Sequence, residues 1–206
     1  SLVTGGRGFI GRHLCRRLQA EHALFVLSRR AGSAPPGTEL IVADATQAGE
    51  WQERVPEMDA VINLAGESIA GRWTAAKKQR LIDSRVRVTD NLVQAMGATG
   101  RRKQVLLSAS GAGFYGVGEE AFDEDSPAGQ GFLADLAQGW ERPTLGAEAA
   151  GLRVCRMRLG VVLGAEGGAL PKMVRPFRLG LGGRIGSGQQ WLSWIHIDDA
   201  LAAMEF

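Results

Sequence analysis

Gly5, Gly6, Gly8 and Gly11 crowd the start of this chain, in the run Thr4-Gly5-Gly6-Arg7-Gly8-Phe9-Ile10-Gly11. Gly6, Gly8 and Gly11 satisfy G-x-G-x-x-G, and Gly5, Gly8 and Gly11 satisfy the wider G-x-x-G-x-x-G. The apolar pair Leu2-Val3 comes before them and an amphipathic run from His13 to Leu18 comes after. The context is therefore strand, tight turn, helix, which is where such a turn binds a dinucleotide pyrophosphate. One glycine takes the backbone angles of the turn, a second lets phosphates approach the backbone, and a third lets helix and strand pack closely. The helix then offers unpaired N–H groups and a positive dipole end to the anion. This places Gly5, Gly6, Gly8, Phe9, Ile10 and Gly11 at a pyrophosphate.

The next strand, Leu24-Phe25-Val26-Leu27, ends in Ser28-Arg29-Arg30. A carboxylate at this point accepts from a ribose 2′-OH in NAD-preferring sites. Here a hydroxyl and guanidiniums replace it. Forked, charge-assisted donors suit a 2′-phosphate, so Ser28 and Arg29 point to NADP(H).

Short apolar strands alternate with helical patterns along the rest of the chain. Strands are expected at Leu40 to Ala43, Ala60 to Leu64, Val105 to Ser108 and Arg153 to Arg158, with helices near Ala75 to Met96 and Leu133 to Ala150. Strands separated by helices imply right-handed crossovers and a parallel sheet covered on both faces. The expected class is α/β: a doubly wound, Rossmann-type parallel sheet over residues 1–164. After Gly164 the rhythm changes. Glycine turns surround a helix candidate near Leu170 to Leu181, and residues 165–206 read as the start of a smaller substrate-side region. The first strand is short and the last helix begins at Asp198, so the chain is expected to be a fragment.

Composition excludes several classes. Of the 206 residues, 24 are basic and 22 acidic, a net charge of +2, which gives no footprint for nucleic acid or an anionic membrane. No apolar run is long enough to span a bilayer. His13, His22 and His196 form no metal-ligand spacing, so no metal is expected. Cys15 and Cys155 both lie in apolar stretches and read as core residues in a reducing, cytoplasmic setting.

The chain resembles the extended short-chain dehydrogenase/reductases. More narrowly it is similar to an atypical branch of the epimerase family, filed under nucleoside-diphosphate-sugar epimerase and cell-division-inhibitor-like names. Thr4 to Gly11, Asn63-Leu64-Ala65-Gly66-Glu67, Phe114-Tyr115-Gly116 and Asp123-Glu124-Asp125-Ser126-Pro127 carry the likeness. So do Gly160 to Gly164, Pro176 to Gly183, and Gly186-Ser187-Gly188 leading to Trp194-Ile195-His196-Ile197. The resemblance implies that Leu64, Ala65, Gly66 and Glu67 run beside the adenosine and ribose, and that Asp44 meets the adenine amino group. It puts Arg85 where extended members keep an asparagine on the long helix, within reach of a phosphate or ribose. Ser108 and Arg158, at strand ends, fall on the cofactor side.

The catalytic pattern departs from the family. Typical members use a serine followed by Tyr-x-x-x-Lys on a helix, the tyrosine as acid/base and the lysine lowering its pKa. Ser110 matches the serine. Counting back from Trp140-Glu141, Leu133 and Ala137 occupy the dyad positions, and no Tyr or Lys lies between Gly116 and Met157. Tyr115 is the only tyrosine in the chain. His196 matches a stretch near the family's substrate pocket, with Asp198 expected to cap the following helix. Two readings stay open. One is an NADP(H)-dependent oxidoreductase or epimerase using Ser110 and Tyr115 on an unknown, nucleotide-linked small molecule. The other is an NADP(H)-binding regulatory protein with little turnover, linked to cell division. A homodimer is one expectation for the assembly.

Overall fold

Residues 1–97 and 104–206 are described by the computed structural model. Neighbouring apolar residues in each central strand point to opposite faces, as the twofold strand period requires. Leu2, Leu27, Val61 and Leu106 enter one buried cluster. Their neighbours Val3, Val26, Ile62 and Leu107 enter another. A strand buried on both faces needs helices on both sides, and the chain supplies them.

The strands β1 (Leu2–Thr4), β2 (Leu24–Ser28), β3 (Thr38–Val42), β4 (Ala60–Asn63), β5 (Val105–Gly111) and β6 (Arg153–Leu159) form one sheet in the order β3-β2-β1-β4-β5-β6. Every neighbouring pair is parallel. Helix α1 (Phe9–Leu18) buries Leu14 and Cys15 on the Val3 side. On the Leu2 side, α2 (Ala75–Gly97) packs Val88, Leu92, Ala95 and Met96, joined by Trp51 and Val55 of a 3-10 helix at Glu50–Glu57. The chain is thus a doubly wound Rossmann fold, with the order reversing between β1 and β4. In such sheets ligands gather beyond the carboxyl ends of the strands, at that reversal.

The expected helix from Leu133 to Ala150 is two helices, α3 (Phe132–Glu141) and α4 (Thr144–Ala149). Pro143 lacks the amide hydrogen needed to continue the ladder and divides them. Strand β5 runs to Gly111, beyond the expected Ser108, because it pairs with β6 along its full length. Beyond β6, β7 (Val161–Gly164), β8 (Gly167–Gly168) and β9 (Trp194–His196) make a small separate sheet. Helix α5 (Leu170–Arg178) lies beside it, and α6 (Ile197–Glu205) returns to the core with Ile197, Leu201 and Met204 buried. No residue from 171 to 194 is buried.

Cys15 is fully buried, and burial pushes its thiol up to about 11. Cys155 is exposed rather than core: β6 is an edge strand and its pattern turns that residue outward. His196, not Asp198, is the N-cap of α6. Its side chain accepts from the Asp198 amide at Nδ1, 3.3 Å away. The imidazole occupies the capping position one residue before the helix, and Asp198 already lies in its first turn. Among the described residues, no helix is long and apolar enough to cross a membrane, and no group of His, Cys, Asp and Glu could hold a metal.

Candidate functional site

The glycine turn follows β1 directly, at the point where the strand order reverses. Gly5 takes a left-handed φ of 68° and lies so close to the β4 loop that an added Cβ would be 2.5 Å from the Leu64 carbonyl oxygen. A Cβ on Gly6 would lie 2.8 Å from Val26 Cγ1, and one on Gly11 only 2.3 Å from the Gly5 carbonyl oxygen. These three glycines are enclosed by the protein's own atoms. Gly8 differs: it is exposed, and a Cβ there would approach only the Gly5 oxygen, at 3.1 Å. Gly8 caps α1 in extended backbone, without a side-chain cap, so the first amides of α1 have no side-chain partner at that end. The turn therefore fits a pyrophosphate: its open side is Gly8, and it sits at a helix N-terminus.

The β4 loop is braced from both sides. Thr4 Oγ1 donates to Asn63 Oδ1 at 2.7 Å, and Asn63 Nδ2 donates to Thr89 Oγ1 at 2.9 Å. The Ala65 amide donates back to Thr4 Oγ1 at 3.2 Å. This buried chain ties the ends of β1 and β4 to α2, and it brings Leu64, Ala65 and Gly66 beside the glycine turn. In the sequence Thr4 and Asn63 stand only as parts of two motifs, and their bracing role does not show, because polar residues ending apolar strands look like ordinary solvated ends.

Arg85 does not reach outward. It is buried; Nη2 donates to the Glu67 carbonyl at 3.0 Å and Nη1 to the Leu81 carbonyl at 3.3 Å. Its guanidinium lies 4.9 Å from the Trp140 ring centroid, and a Cβ on Gly66 would stand 3.1 Å from its Cζ. Burial lowers its pKa, an effect opposed by Glu67. Arg85 thus shapes the 65–67 loop from behind. The Glu67 amide also donates to Ser84 Oγ at 2.9 Å, and its carboxylate pairs with Lys77 at 2.8 Å.

The hydrogen bond from Lys77 holds the Glu67 carboxyl below its ordinary pKa, with smaller pulls from Lys77, Arg80 and Arg29 against some desolvation. A lowered folded pKa gives stability that is present above the unfolded value, about 4.3, and is lost as pH falls through the folded one. Lys77→Met should therefore destabilise the protein at neutral pH, and its gap from wild type should shrink below about pH 4. Urea unfolding between neutral and acid pH checks this; a gap independent of pH contradicts it.

Ser28 ends β2 and Arg29 follows it directly, as expected, and Arg29 and Arg30 are exposed. Asp44, just past β3, accepts at one oxygen from the Thr46 amide and hydroxyl, at 3.0 and 2.8 Å. It borders a concavity of about 450 Å³ along β3, lined also by Ile41, Trp51 and Arg54. The glycine turn does not line that hollow. An open crevice at strand ends is the better nucleotide site than a groove on an edge strand.

Ser110 and Tyr115 are joined through two residues. Ser110 is buried, and its hydroxyl donates to Glu141 Oε1 at 2.6 Å. Arg158 grips the same carboxylate with two parallel bonds, Nε to Oε1 and Nη2 to Oε2, each 2.9 Å. Its Nη1 donates to the Tyr115 hydroxyl oxygen at 3.0 Å. The Phe114 ring centroid lies 3.6 Å from the Arg158 Cζ, and Phe122 stacks on Tyr115. Hydrogen bonding to Glu141 raises the Arg158 pKa. Ser108 is buried beside Asn63 in the sheet. Leu133, at the expected tyrosine position, packs over the Ala112–Tyr115 turn: a Cβ on Gly113 would be 3.2 Å from Leu133 Cβ. Glu141 is the member that sequence reasoning missed. Its spacing of four from Ala137 on an apolar helix face was the available signal, since a carboxylate there must be buried and paired.

His196, Phe177, Trp191 and Trp194 are exposed. Lys172 and Arg175 are exposed on α5.

A doubly wound sheet with a glycine turn at its switch point defines a dinucleotide-binding protein of Rossmann type. The family is specific: residues 1–206 match the NAD dependent epimerase/dehydratase family, and the chain belongs to it. It is 43% identical over 204 residues to the chloroplastic "Epimerase family protein SDR39U1 homolog" of Arabidopsis thaliana, covering 96% of this chain and 58% of the relative. The human epimerase family protein SDR39U1, isoform 2, solved with NADPH, superposes with a TM-score of 0.78 at 36% identity, over 99% of this chain and 68% of that one. A nucleoside-diphosphate sugar epimerase from Corynebacterium glutamicum gives 0.82 at 33% identity, over 99% of this chain and 42% of that one. The family is named for its NAD dependence, and the human neighbour was solved with NADPH.

Proposed function

We propose that this chain is the NADP(H)-binding core of an oxidoreductase or epimerase acting on a polar, nucleotide-linked small molecule. The contrast within the glycine turn carries the reading: three glycines are enclosed by protein and Gly8 alone faces outward. In this reading Gly5, Gly6, Gly8, Phe9, Ile10 and Gly11 hold the pyrophosphate, and Ser28 and Arg29 hold the 2′-phosphate. Asp44 and the loop from Leu64 to Glu67 border the adenosine and ribose. The nucleotide supplies hydride-transfer chemistry when bound. Tyr115 is the sole phenol, and Arg158 Nη1 holds its oxygen in place at 3.0 Å, so Tyr115 is the candidate proton donor. Free thiols at Cys15 and Cys155 fit a reducing, cytoplasmic setting.

NADPH should bind more tightly than NADH by about 1.5–3 kcal/mol, the size of hydrogen bonds to a charged group. Arg29→Ala should remove much of that difference. Equal titration curves for the two nucleotides would sink the cofactor assignment. Turnover is tested by following NADPH oxidation against a panel of carbonyl and sugar-nucleotide substrates. Slow oxidation that falls further in Tyr115→Phe supports the enzyme.

The second reading is a regulatory NADP(H)-binding protein. It draws support from the Ser110 hydroxyl, which is committed to Glu141, and from Leu133 and Ala137 at the dyad positions. Tight NADPH binding with no oxidation on any substrate selects it.

A further inference from the structure

Resting on the oxidoreductase reading, we propose that Tyr115 is the one hydroxyl of this site that gives a proton to a substrate, that Arg158 and Glu141 position it, and that Ser110 belongs to the frame instead. Three elements build that frame. Ser110 of β5 and Arg158 of β6 are register partners, so their side chains leave the sheet side by side. Glu141 of α3 binds both: it accepts from the Ser110 hydroxyl at 2.6 Å and from Arg158 Nε and Nη2 at 2.9 Å each. An ion-paired carboxylate only accepts, so the Ser110 proton points at Glu141. Ser110 is left with lone pairs to offer a ligand.

Tyr115 has the opposite polarity. Arg158 Nη1 donates to its oxygen at 3.0 Å, and a guanidinium only donates. The phenol hydrogen therefore turns elsewhere, and among the described residues no group accepts it. The ring is fixed as well: Phe122 lies parallel to it at 7°, with 5.3 Å between centroids, and Phe114 meets it edge-on at 80°. Tyr115 is half-buried, on the turn after the carboxyl end of β5, where ligands gather in such a sheet. The substrate group that meets this donor is an acceptor, the oxygen of a carbonyl. The Tyr115 O–H bond breaks and its proton goes to that oxygen. The electron pair reaches the carbonyl carbon as hydride from the nicotinamide, which is oxidised, and solvent returns a proton to Tyr115.

Tyr115 is the only tyrosine in the chain, so protein labelled with ring-13C tyrosine gives its Cζ signal alone. Without ligand that signal should move in Arg158→Met and in Arg158→Lys, neither of which keeps the fork, and least in Ser110→Ala. In wild type NADPH should move it, and 2′,5′-ADP, which lacks the nicotinamide, should not. Kinetics of NADPH oxidation on carbonyl substrates supply the second readout. Tyr115→Phe should lower kcat by at least about 100-fold and Ser110→Ala by about threefold. Arg158→Lys should lower kcat by at least about 10-fold with KM within about twofold, and Glu141→Gln by less than Arg158→Lys. Combining Tyr115→Phe with either Arg158→Lys or Glu141→Gln should be no slower than Tyr115→Phe alone, whereas residues that only brace the fold would add their losses. The wild-type and Ser110→Ala arms decide even where the Arg158 variants do not fold. Additive losses, a Ser110→Ala loss as large as that of Tyr115→Phe, or a Tyr115 signal unmoved by bound NADPH each overturns the proposal and leaves the cofactor reading standing. Bound NADPH that no substrate oxidises overturns it in favour of the regulatory protein. A wild type that binds no NADPH overturns both the proposal and the cofactor reading.

Discussion

Gly8→Val is expected to abolish NADPH binding in a chain that still folds. Gly8 has φ −75° and ψ 178°, an extended conformation that β-branched residues adopt readily. An added Cβ meets one atom, the Gly5 carbonyl oxygen at 3.1 Å, which a shift of a few tenths of an ångström relieves. The remaining methyl groups project to the exposed side of the turn. That side is where a pyrophosphate would come against the first amides of α1, so the methyls displace the ligand rather than the protein. Affinity should drop by at least about 100-fold, equivalent to ~2.7 kcal/mol. Stability should stay within about 1 kcal/mol of wild type. Gly11→Ala is the control with the opposite signature, because its Cβ would sit 2.3 Å from the Gly5 oxygen and 2.6 Å from Gly6 Cα. Titration with NADPH beside urea unfolding distinguishes the two. A folded Gly8→Val variant with normal affinity would place the pyrophosphate elsewhere.

The second large effect is on stability. Glu141→Ala should cost about 3 kcal/mol, the lower end for breaking a buried ion pair by removing one partner. The side chains of Glu141 and Arg158 are 10% and 21% exposed, so solvent screens the pair only weakly. Removing the carboxylate strands the Arg158 guanidinium against Phe114 and leaves the buried Ser110 hydroxyl without its acceptor. For a chain of this length the loss corresponds to a fall in Tm of roughly 6–12 °C. Glu141→Gln keeps the shape and an acceptor for Ser110, and should cost about half as much. A cycle of Glu141→Ala with Arg158→Met should return part of the loss, since the second change removes the stranded charge. A Glu141→Ala variant within about 0.5 kcal/mol of wild type would show that the pair contributes little.

Much of the fold was legible because burial on both faces of a parallel sheet leaves short apolar runs at β1, β2, β4 and β5, and the edge strands β3 and β6 follow the same spacing although neither is buried on both faces. The break at Pro143 was equally visible in principle. A helical pattern continuing on both sides of the proline hid it. The candidate site was legible where backbone geometry demands a residue type: the glycines of the turn, and the absence of a carboxylate after β2. It was not legible where a role depends on which way a long side chain turns. Arg85 and Arg158 are both arginines near strand ends or on the long helix, and the sequence assigned them alike. One turns under the 65–67 loop, and the other pairs with Glu141 and reaches Tyr115. Glu141 read as a landmark.

Phe9 has a consequence that concerns two ligands at once. Its ring fills the space beneath the β7–β8 hairpin, and a Cβ on Gly164, Gly167 or Gly168 would come within 2.8 Å of it. Arg12 of the same helix donates to the Glu166 carbonyl. The helix that opens at the glycine turn is therefore the one on which the small second sheet rests. If steadying the start of α1 also steadied that hairpin through Phe9 and Arg12, the free energies of occupying the crevice and of holding the 161–168 segment would be linked. Linkage is reciprocal. A molecule that bound only the second sheet would tighten the hold on the nucleotide by the same factor by which the nucleotide tightened the hold on it.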